Sequence, residues 1–492
     1  MASSFDVLVT ADEAFQAFER AVLSAETSIV AGFRIFDMTT RLRSPEGLAI
    51  GKTWFDLLEH VVRKGVSFEL TVSDFDPVMA TELHEVATKT VRQGAALAEL
   101  AGAAGSNVTV RAHLHPAKAG LVPWLAFLPV VLGRMRKARA IRDDTRLSRG
   151  AIGLKETVLP QMHTVTHHQK LAVIDDATLY VGGLDLNERR YDTQDHDRPS
   201  AETWSDVQAI VRNEAAATSV RRHLETFADT TEGAMQVTSA PGILRTLSKP
   251  RRLQFPYLSP QTVLSELEEA HLAAFRTAVH HIHIETQFFR STRIADGLAK
   301  AAQNSSDLTA TIIMPGTPDE LAHEDHDSLD MKFGLAKERD AVAVVKAAFG
   351  SRLTIASPVR PLMAQRTDRD TLAGSELIHV HNKVLLRDDS YLLISSANLN
   401  GRSLRWDTEV GVETTDAQDV MRGRNKLFSH WWFDRLPPEA LNAATRFDWW
   451  QDRVGKNGLL RPQNRAGFLV PFDSKKNADL RQNLPGVTED MV

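Results

Sequence analysis

Two stretches of this chain repeat one another. Residues 167–176 read HHQKLAVIDD and residues 381–389 read HNKVLLRDD, each with a histidine, a lysine two positions on and an aspartate five further along. The members are His168, Lys170 and Asp175, then His381, Lys383 and Asp388, with the histidines 381 − 168 = 213 residues apart. The flanks repeat too: six residues after each aspartate come GGLDL and SSANL, and AVLSAETSIVAGFRIFD upstream of the first copy parallels FRTAVHHIHIETQFFRS upstream of the second. Repetition at the length of a domain marks a tandem duplication, so the chain must fold as two copies of one unit.

Each copy reads as an α/β unit. The runs HHQKLAVID and TLYVGG are apolar strands joined by a tight turn at Asp175-Asp176, and HNKVLLR and YLLISS form a second hairpin closing at Asp388-Asp389. Amphipathic periodicity predicts helices near 54–64, 78–104 and 334–349, and strands alternating with helices give mixed sheets covered on both sides. The expected architecture is two α/β/α sandwich halves packed about a pseudo-two-fold axis with one shared active site. The seam falls where SAPGILRTLSKPRR carries Pro, Gly and Ser. This divides the chain into 1–240, with an apolar and basic insert near 119–150, and 241–492, ending in a polar tail.

With 43% hydrophobic and 25% charged residues in 492, the composition is that of a water-soluble globular protein. The net charge of −5 argues against nucleic acid as a partner of the whole chain. The lack of cysteine excludes disulfides, thiolate metal sites and a cysteine nucleophile. The amino end has no basic n-region, and no apolar run reaches the roughly 20 residues of a membrane span, so the expected location is cytoplasmic, with peripheral contact at the inner face of the membrane.

Side chains two apart on a strand share a face, so His168 projects with Lys170 and His381 with Lys383. If the halves pair symmetrically, two imidazoles and two ammonium groups meet in one cleft. That set suits a phosphodiester: a neutral imidazole attacks phosphorus, a protonated one delivers a proton to the departing alcohol, and the lysines balance the oxygens without a metal. The small pairs Gly182-Gly183 and Ser395-Ser396 leave room for backbone to approach an oxyanion.

Both motifs resemble the paired signature of the phospholipase D superfamily, over roughly residues 5–435. THHQKLAVIDDATLYVGGLDLNERRYDT, TWSDVQ, IHIETQFF and HVHNKVLLRDDSYLLISSANLNGRSLRWDTEV are similar to segments of its lipid-acting, eukaryotic-type branch. The resemblance implies a phospholipase D that hydrolyses glycerophospholipids to phosphatidic acid and a head-group alcohol, without a cofactor. His168 would be the nucleophile that forms a phosphohistidine, and His381 the general acid and then base. Lys170, Lys383 and Asn398 would hold the non-bridging oxygens. Asp206 and Glu409 would orient the imidazoles as downstream carboxylates. Asp185, Gly183, Ser396, Glu285 and Gln287 would line the substrate site, while Asp175 and Asp388 would support the strands. Two positions depart from the family: Ser395 stands in place of a glycine, and Asp185 in place of an asparagine, which calls for a protonated or averted carboxyl beside phosphate.

The remaining features have blander readings. HLH at 113–115 and HEDHD at 323–327 lack a metal-binding order and read as solvated loops. The stretch AGLVPWLAFLPVVLG at 119–133, followed by RMRKARAIR, reads equally as a membrane contact through Trp124 and Phe127 or as a buried loop or dimer contact. Head-group transfer of the cardiolipin synthase kind, a nuclease or nucleotide phosphodiesterase, and a non-catalytic binding protein are the competing functions. Oligomeric state is not set by any of these patterns.

Overall fold

The computed structural model describes residues 4–145, 161–257, 259–323, 328–433, 435–484 and 488–492, with backbone alone for 137–145. A seven-stranded sheet has the spatial order Ser4–Val9, Val207–Arg212, Thr178–Gly182, Lys170–Ile174, Ser28–Phe33, Ser67–Ser73, Val108–His113. The middle of a nine-stranded sheet repeats it: Leu244–Lys249, Glu409–Thr414, Tyr391–Ser395, Lys383–Arg387, His281–Thr286, Thr309–Ile313, Leu353–Pro358. Strands Gln261–Ser265 and Leu469–Pro471 extend its two edges. Both sheets are mixed, and even the register repeats, since Phe33 pairs with Lys170 where Thr286 pairs with Lys383. The fold is therefore the duplicated α/β architecture, and the chain changes sheets between Arg212 and Leu244.

The motif strands are apolar on both sides because both sides are covered. Leu171 and Val173 join a core to which the second half brings Val384, Leu386, Ile394 and Val412. Ala172 and Ile174 face the first half's outer core, as Leu385 faces the second's. Helices lie at Trp54–Arg63, Thr81–Leu100 and Leu329–Phe349, close to the expected spans.

The motif aspartates close the hairpins and do more. Asp175, Asp176 and Asp388 adopt positive φ of 50°, 52° and 52°, which a short polar side chain tolerates. The Asp175 carboxylate accepts from the amides of Glu26, Thr27 and Ser28 at 2.8, 2.8 and 2.9 Å, just ahead of strand Ser28–Phe33. Asp388 accepts from Val279, His280 and His281 at 3.2, 2.8 and 2.9 Å, at the head of the equivalent strand.

Residues 121–145 form a continuous helix, Leu121–Thr145, that runs through both prolines. Pro123 sits in its first turn, where no amide bond is lost; Pro129 lies inside and removes one. Trp124 and Phe127 are the aromatics of the membrane-contact reading. Both are half-buried, and the solvent face carries Leu121, Val122, Leu125 and Val130. Among the described residues no helix is long and apolar enough to cross a membrane.

Candidate active site

The two halves are stitched together by the segments that carry the motif histidines. His379–Val380 pairs in parallel with Trp204–Ser205, and His167 bridges Thr408 in the same sense. The amide of His381 donates to Ser205 at 2.7 Å, and that of His168 donates to Thr408 at 2.9 Å. Each histidine thus precedes its own ladder strand, which starts at the lysine, and is held by a strand of the opposite half.

That exchange carries into the side chains. His168 Nδ1 lies 2.9 Å from Glu409 Oε1, and His381 Nδ1 lies 2.7 Å from Asp206 Oδ2. Each imidazole is oriented by the other half's carboxylate. A carboxylate at Nδ1 fixes the proton there and leaves Nε2 as the reactive nitrogen of the neutral ring. The downstream carboxylates are the expected residues, but each serves the opposite motif.

Lys170 and Lys383 are buried, and each Nζ donates to the backbone oxygen of its motif histidine, His168 and His381, at 2.5 Å. This back-bond locks lysine and histidine into one unit. Gly183 sits where a Cβ would lie 2.5 Å from Asp206 Oδ1 and 3.2 Å from both His381 O and Lys383 Cδ. At the equivalent place in the other half, the Ser396 hydroxyl donates to Glu409 Oε2, and the Val410 amide donates to Ser396 Oγ at 3.1 Å. Ser395, in the glycine position, fits because Gly411 faces it; a Cβ on Gly411 would lie 2.7 Å from that of Ser395.

Burial dominates the electrostatics. It pushes both His168 and His381 well below the ordinary imidazole value, helped by Lys170 and Arg34 at the first and Lys383 and Arg190 at the second. Burial also brings Lys170 down to about 8 and raises Asp206 to about 7, although Lys383 and Arg190 oppose the latter. Glu409 is raised by burial against Lys170 and Ser396. Burial pushes the two imidazoles, both lysines, Asp206 and Glu409 toward their uncharged forms, so an incoming anion strengthens each cation it touches.

The expectation for Asp185 is a protonated or averted carboxyl. Burial alone would raise it, but Lys170, Arg34 and Arg190 together hold it below the usual carboxylate range, so it is ionised. It accepts the Ile35 amide at 3.1 Å and lies 3.5 Å from Arg34 and 4.0 Å from Lys170 Nζ. Asn398, its partner by symmetry, is buried with an amide oxygen that has no hydrogen-bond partner among the described residues.

Glu285 is spent elsewhere. Its oxygens take His283 at 2.8 Å, Trp431 Nε1 at 2.9 Å and the Asn382 amide, all in the core behind the motif strand. Gln287 is half-buried at the strand end, where the first half has Arg34.

Neither Arg34 nor Arg190 is among the expected site residues, yet both bring cations to the site. The signal was an isolated arginine in the apolar run AGFRIF, and a second before an aromatic in RRYD. Arg190 lies 3.9 Å over the Trp204 ring, with its Nη1 buried and unpartnered among the described residues.

The first histidine-rich stretch is not a solvated loop. His113 ends a strand and contacts His167 at 2.8 Å, which contacts the Thr408 hydroxyl at 2.8 Å; His115 is fully buried. His323 lies 2.9 Å from His379, close to Asp319, whose other oxygen takes Arg189 at 2.8 Å. Residues 324–327 of that stretch lie outside the described residues.

Comparison with known proteins bears on the family and the fold. A family model described as "Cardiolipin synthase, PLD-like domain" matches residues 271–432, the second half. Phospholipase D2 of Bos taurus is 23% identical over 359 residues, covering 51% of this chain and 38% of that protein. Phospholipase D1 of Schizosaccharomyces pombe is 22% identical over 381 residues, covering 57% and 27%. The chain thus spans less than two fifths of the length of these relatives. The crystal structure of a phosphatidylserine synthase from Haemophilus influenzae Rd KW20 superposes with a TM-score of 0.53 at 14% identity, covering 87% of this chain and 86% of that one. At that identity the likeness is one of fold.

Proposed function

The chain belongs to the phospholipase D superfamily, and from that premise we propose that it is a phospholipase D, hydrolysing glycerophospholipids to phosphatidic acid and a head-group alcohol. The observation that carries the reading is the reciprocal pairing of His168 with Glu409 and His381 with Asp206.

The roles divide by environment. The His168 side chain is 14% exposed and that of His381 only 4%. His168 is the nucleophile: its Nε2 lone pair bonds phosphorus as the bond to the head-group oxygen breaks. His381 donates to that oxygen, and the raised Asp206 keeps a proton on the His381–Asp206 pair near neutrality. Water then enters, gives its proton to His381 and attacks phosphorus, releasing His168. Lys170, Lys383 and the Asn398 amide hold the non-bridging oxygens, with Arg34 and Arg190 adding to the positive field. Asp185 acts through Lys170 and Arg34 rather than on phosphate, since its charge would repel the ligand.

A second reading replaces water with an alcohol and makes the chain a phosphatidyltransferase. The description of the matched family model favours it, and the intermediate would be the same. One experiment separates the readings: incubate mixed phospholipids with and without glycerol or ethanol, and identify products by mass spectrometry. Phosphatidic acid alone supports hydrolysis, and a phosphatidyl-alcohol as main product supports transfer. Cleavage of single-stranded DNA with no lipid product would overturn both.

A further inference from the structure

Helix Leu121–Thr145 has an unusual surface. A helix on a globular protein normally turns polar residues to water, yet here the solvent side shows Leu121, Val122, Leu125 and Val130. The inward side is apolar as well, with Val131 buried and Trp124 and Phe127 half-buried. A second exposed apolar segment comes from the other half of the chain: Leu253, Phe255 and Tyr257 are 70%, 56% and 46% exposed.

The two segments form one surface. The Gly120 amide donates to Tyr257 O at 2.8 Å, and that of Val122 donates to Phe255 O at 3.2 Å. The contact is so close that a Cβ at Gly120 would lie 1.9 Å from Gln254 O. The base of this surface is tied to the catalytic segments. Ala119 donates to Met162 O at 2.8 Å, Lys118 bridges His163, and Ala117 packs with Val165 and Trp406 in a small core. Met162, His163 and Val165 precede His168 by a few positions, as Trp406 precedes Glu409.

We propose that the solvent face of helix Leu121–Thr145 and the 253–257 loop together form a docking surface for a bilayer containing anionic lipid, placed beside the cleft. Charge selects this occupant. The apolar stripe runs directly into exposed Arg134 and Arg136, Arg252 stands exposed next to Leu253, and from Leu121 on the sequence carries Lys137, Arg139 and Arg142 before an acidic residue comes at Asp143. Apolar side chains enter the acyl boundary while cations meet the headgroups. A face for a second protein copy would instead deplete charge at its centre. The inference rests on the lipid-acting reading above, extending it to how the enzyme reaches its substrate.

The test combines vesicle flotation with cleavage of a water-soluble short-chain phospholipid. The full chain floats with vesicles of phosphatidylcholine plus phosphatidylglycerol and poorly with phosphatidylcholine alone. Leu125→Glu with Phe255→Glu lowers partitioning at least about tenfold, since two insertion anchors are lost. Short-chain turnover and melting temperature stay unchanged, because both positions face solvent. Arg134→Glu with Arg136→Glu removes the preference for the anionic vesicle. Wild-type flotation by the apolar variant overturns the surface, as does joint loss of turnover and melting temperature, which would make the segment core. Loss of a dimer in light scattering without loss of flotation assigns the face to a second copy and also overturns it. A chain that cleaves the soluble lipid but never floats refutes the surface and leaves the enzyme reading standing. One that floats through these residues but cleaves no lipid supports the surface and refutes the enzyme reading.

Discussion

His168 and Glu409 are 241 positions apart in the chain and 2.9 Å apart in space. His381 and Asp206 repeat the relation at 2.7 Å, so neither half holds a complete catalytic pair. The carboxylates set the tautomer and orientation of each ring without touching substrate. Glu409→Gln and Asp206→Asn should therefore lower kcat by about 10²–10⁴ with KM changed little, and the double variant should lose less than the product of the two. Steady-state kinetics on a soluble short-chain lipid, with circular dichroism for fold, checks this. A tenfold rise in KM at unchanged kcat would place the carboxylates in binding instead.

The pH dependence follows from the shifted groups. His168 attacks as the neutral ring, available above a pKa held well below 6.5, so activity falls only well into acid. On the alkaline side the His381–Asp206 pair loses its proton around 7, the value of Asp206, and Lys170 loses its charge around 8. Both losses lower activity as pH rises. The profile of kcat/KM should be a bell whose maximum lies on the acid side of neutrality. Lys170→Arg should leave the onset of the alkaline limb around 7 and make the fall above about 8 shallower. A wild-type profile still rising at pH 9 would refute these assignments.

The Lys170 shift also bears on stability. Between pH of about 8 and 10.5 the unfolded chain holds a proton that the folded one has released, so this group makes the fold more stable as pH rises through that window. Lys170→Met should flatten that rise in chemical denaturation, and an unchanged slope would refute the depressed value.

The duplication, the two hairpins and the residues at the centre were legible because the motif strands are buried on both sides. Burial forces the apolar runs KLAVI and KVLLR, which makes the lone histidines and lysines stand out. The exchange of carboxylates between halves was not legible, because local sequence carries no signal for which half a side chain at a strand start will face. Arg34 was hidden for a related reason: its partner Asp185 is distant in the chain, and the pairing of Phe33 with Lys170 is what brings Arg34 to the site. Glu285 went the other way. Its strand matches the family pattern, yet Trp431 and Asn382, from distant segments, engage its oxygens in the core.

The turn aspartates separate structure from chemistry. Asp175 and Asp388 each accept three backbone amides that would otherwise be left at a strand head. Asp175→Ala and Asp388→Ala should each cost about 2 kcal/mol in denaturant unfolding, with kcat of the folded fraction within a few-fold of wild type. A loss of kcat by orders of magnitude at intact stability would move the aspartate into the mechanism.

The cleft supplies its own positive charge. Lys170, Lys383, Arg34 and Arg190 surround the two imidazoles, against Asp185, Asp206 and Glu409, so an ionised phosphodiester enters a field already able to balance its oxygens. Turnover should therefore persist in excess chelator. A set of metal-capable groups among the described residues, Asp319, His323 and His379, provides a control: His379 lies two positions before His381, and Arg189 already pairs with Asp319. His379→Ala should change turnover by only a few-fold, and equally with and without chelator. Lys383→Met should cost orders of magnitude under both conditions, because no remaining group occupies its place beside His381. If chelator abolished wild-type activity and added metal restored it, the lysines would not be the charge that balances the phosphate. If His379→Ala then lost that response, the Asp319–His323–His379 cluster would be the site of the metal.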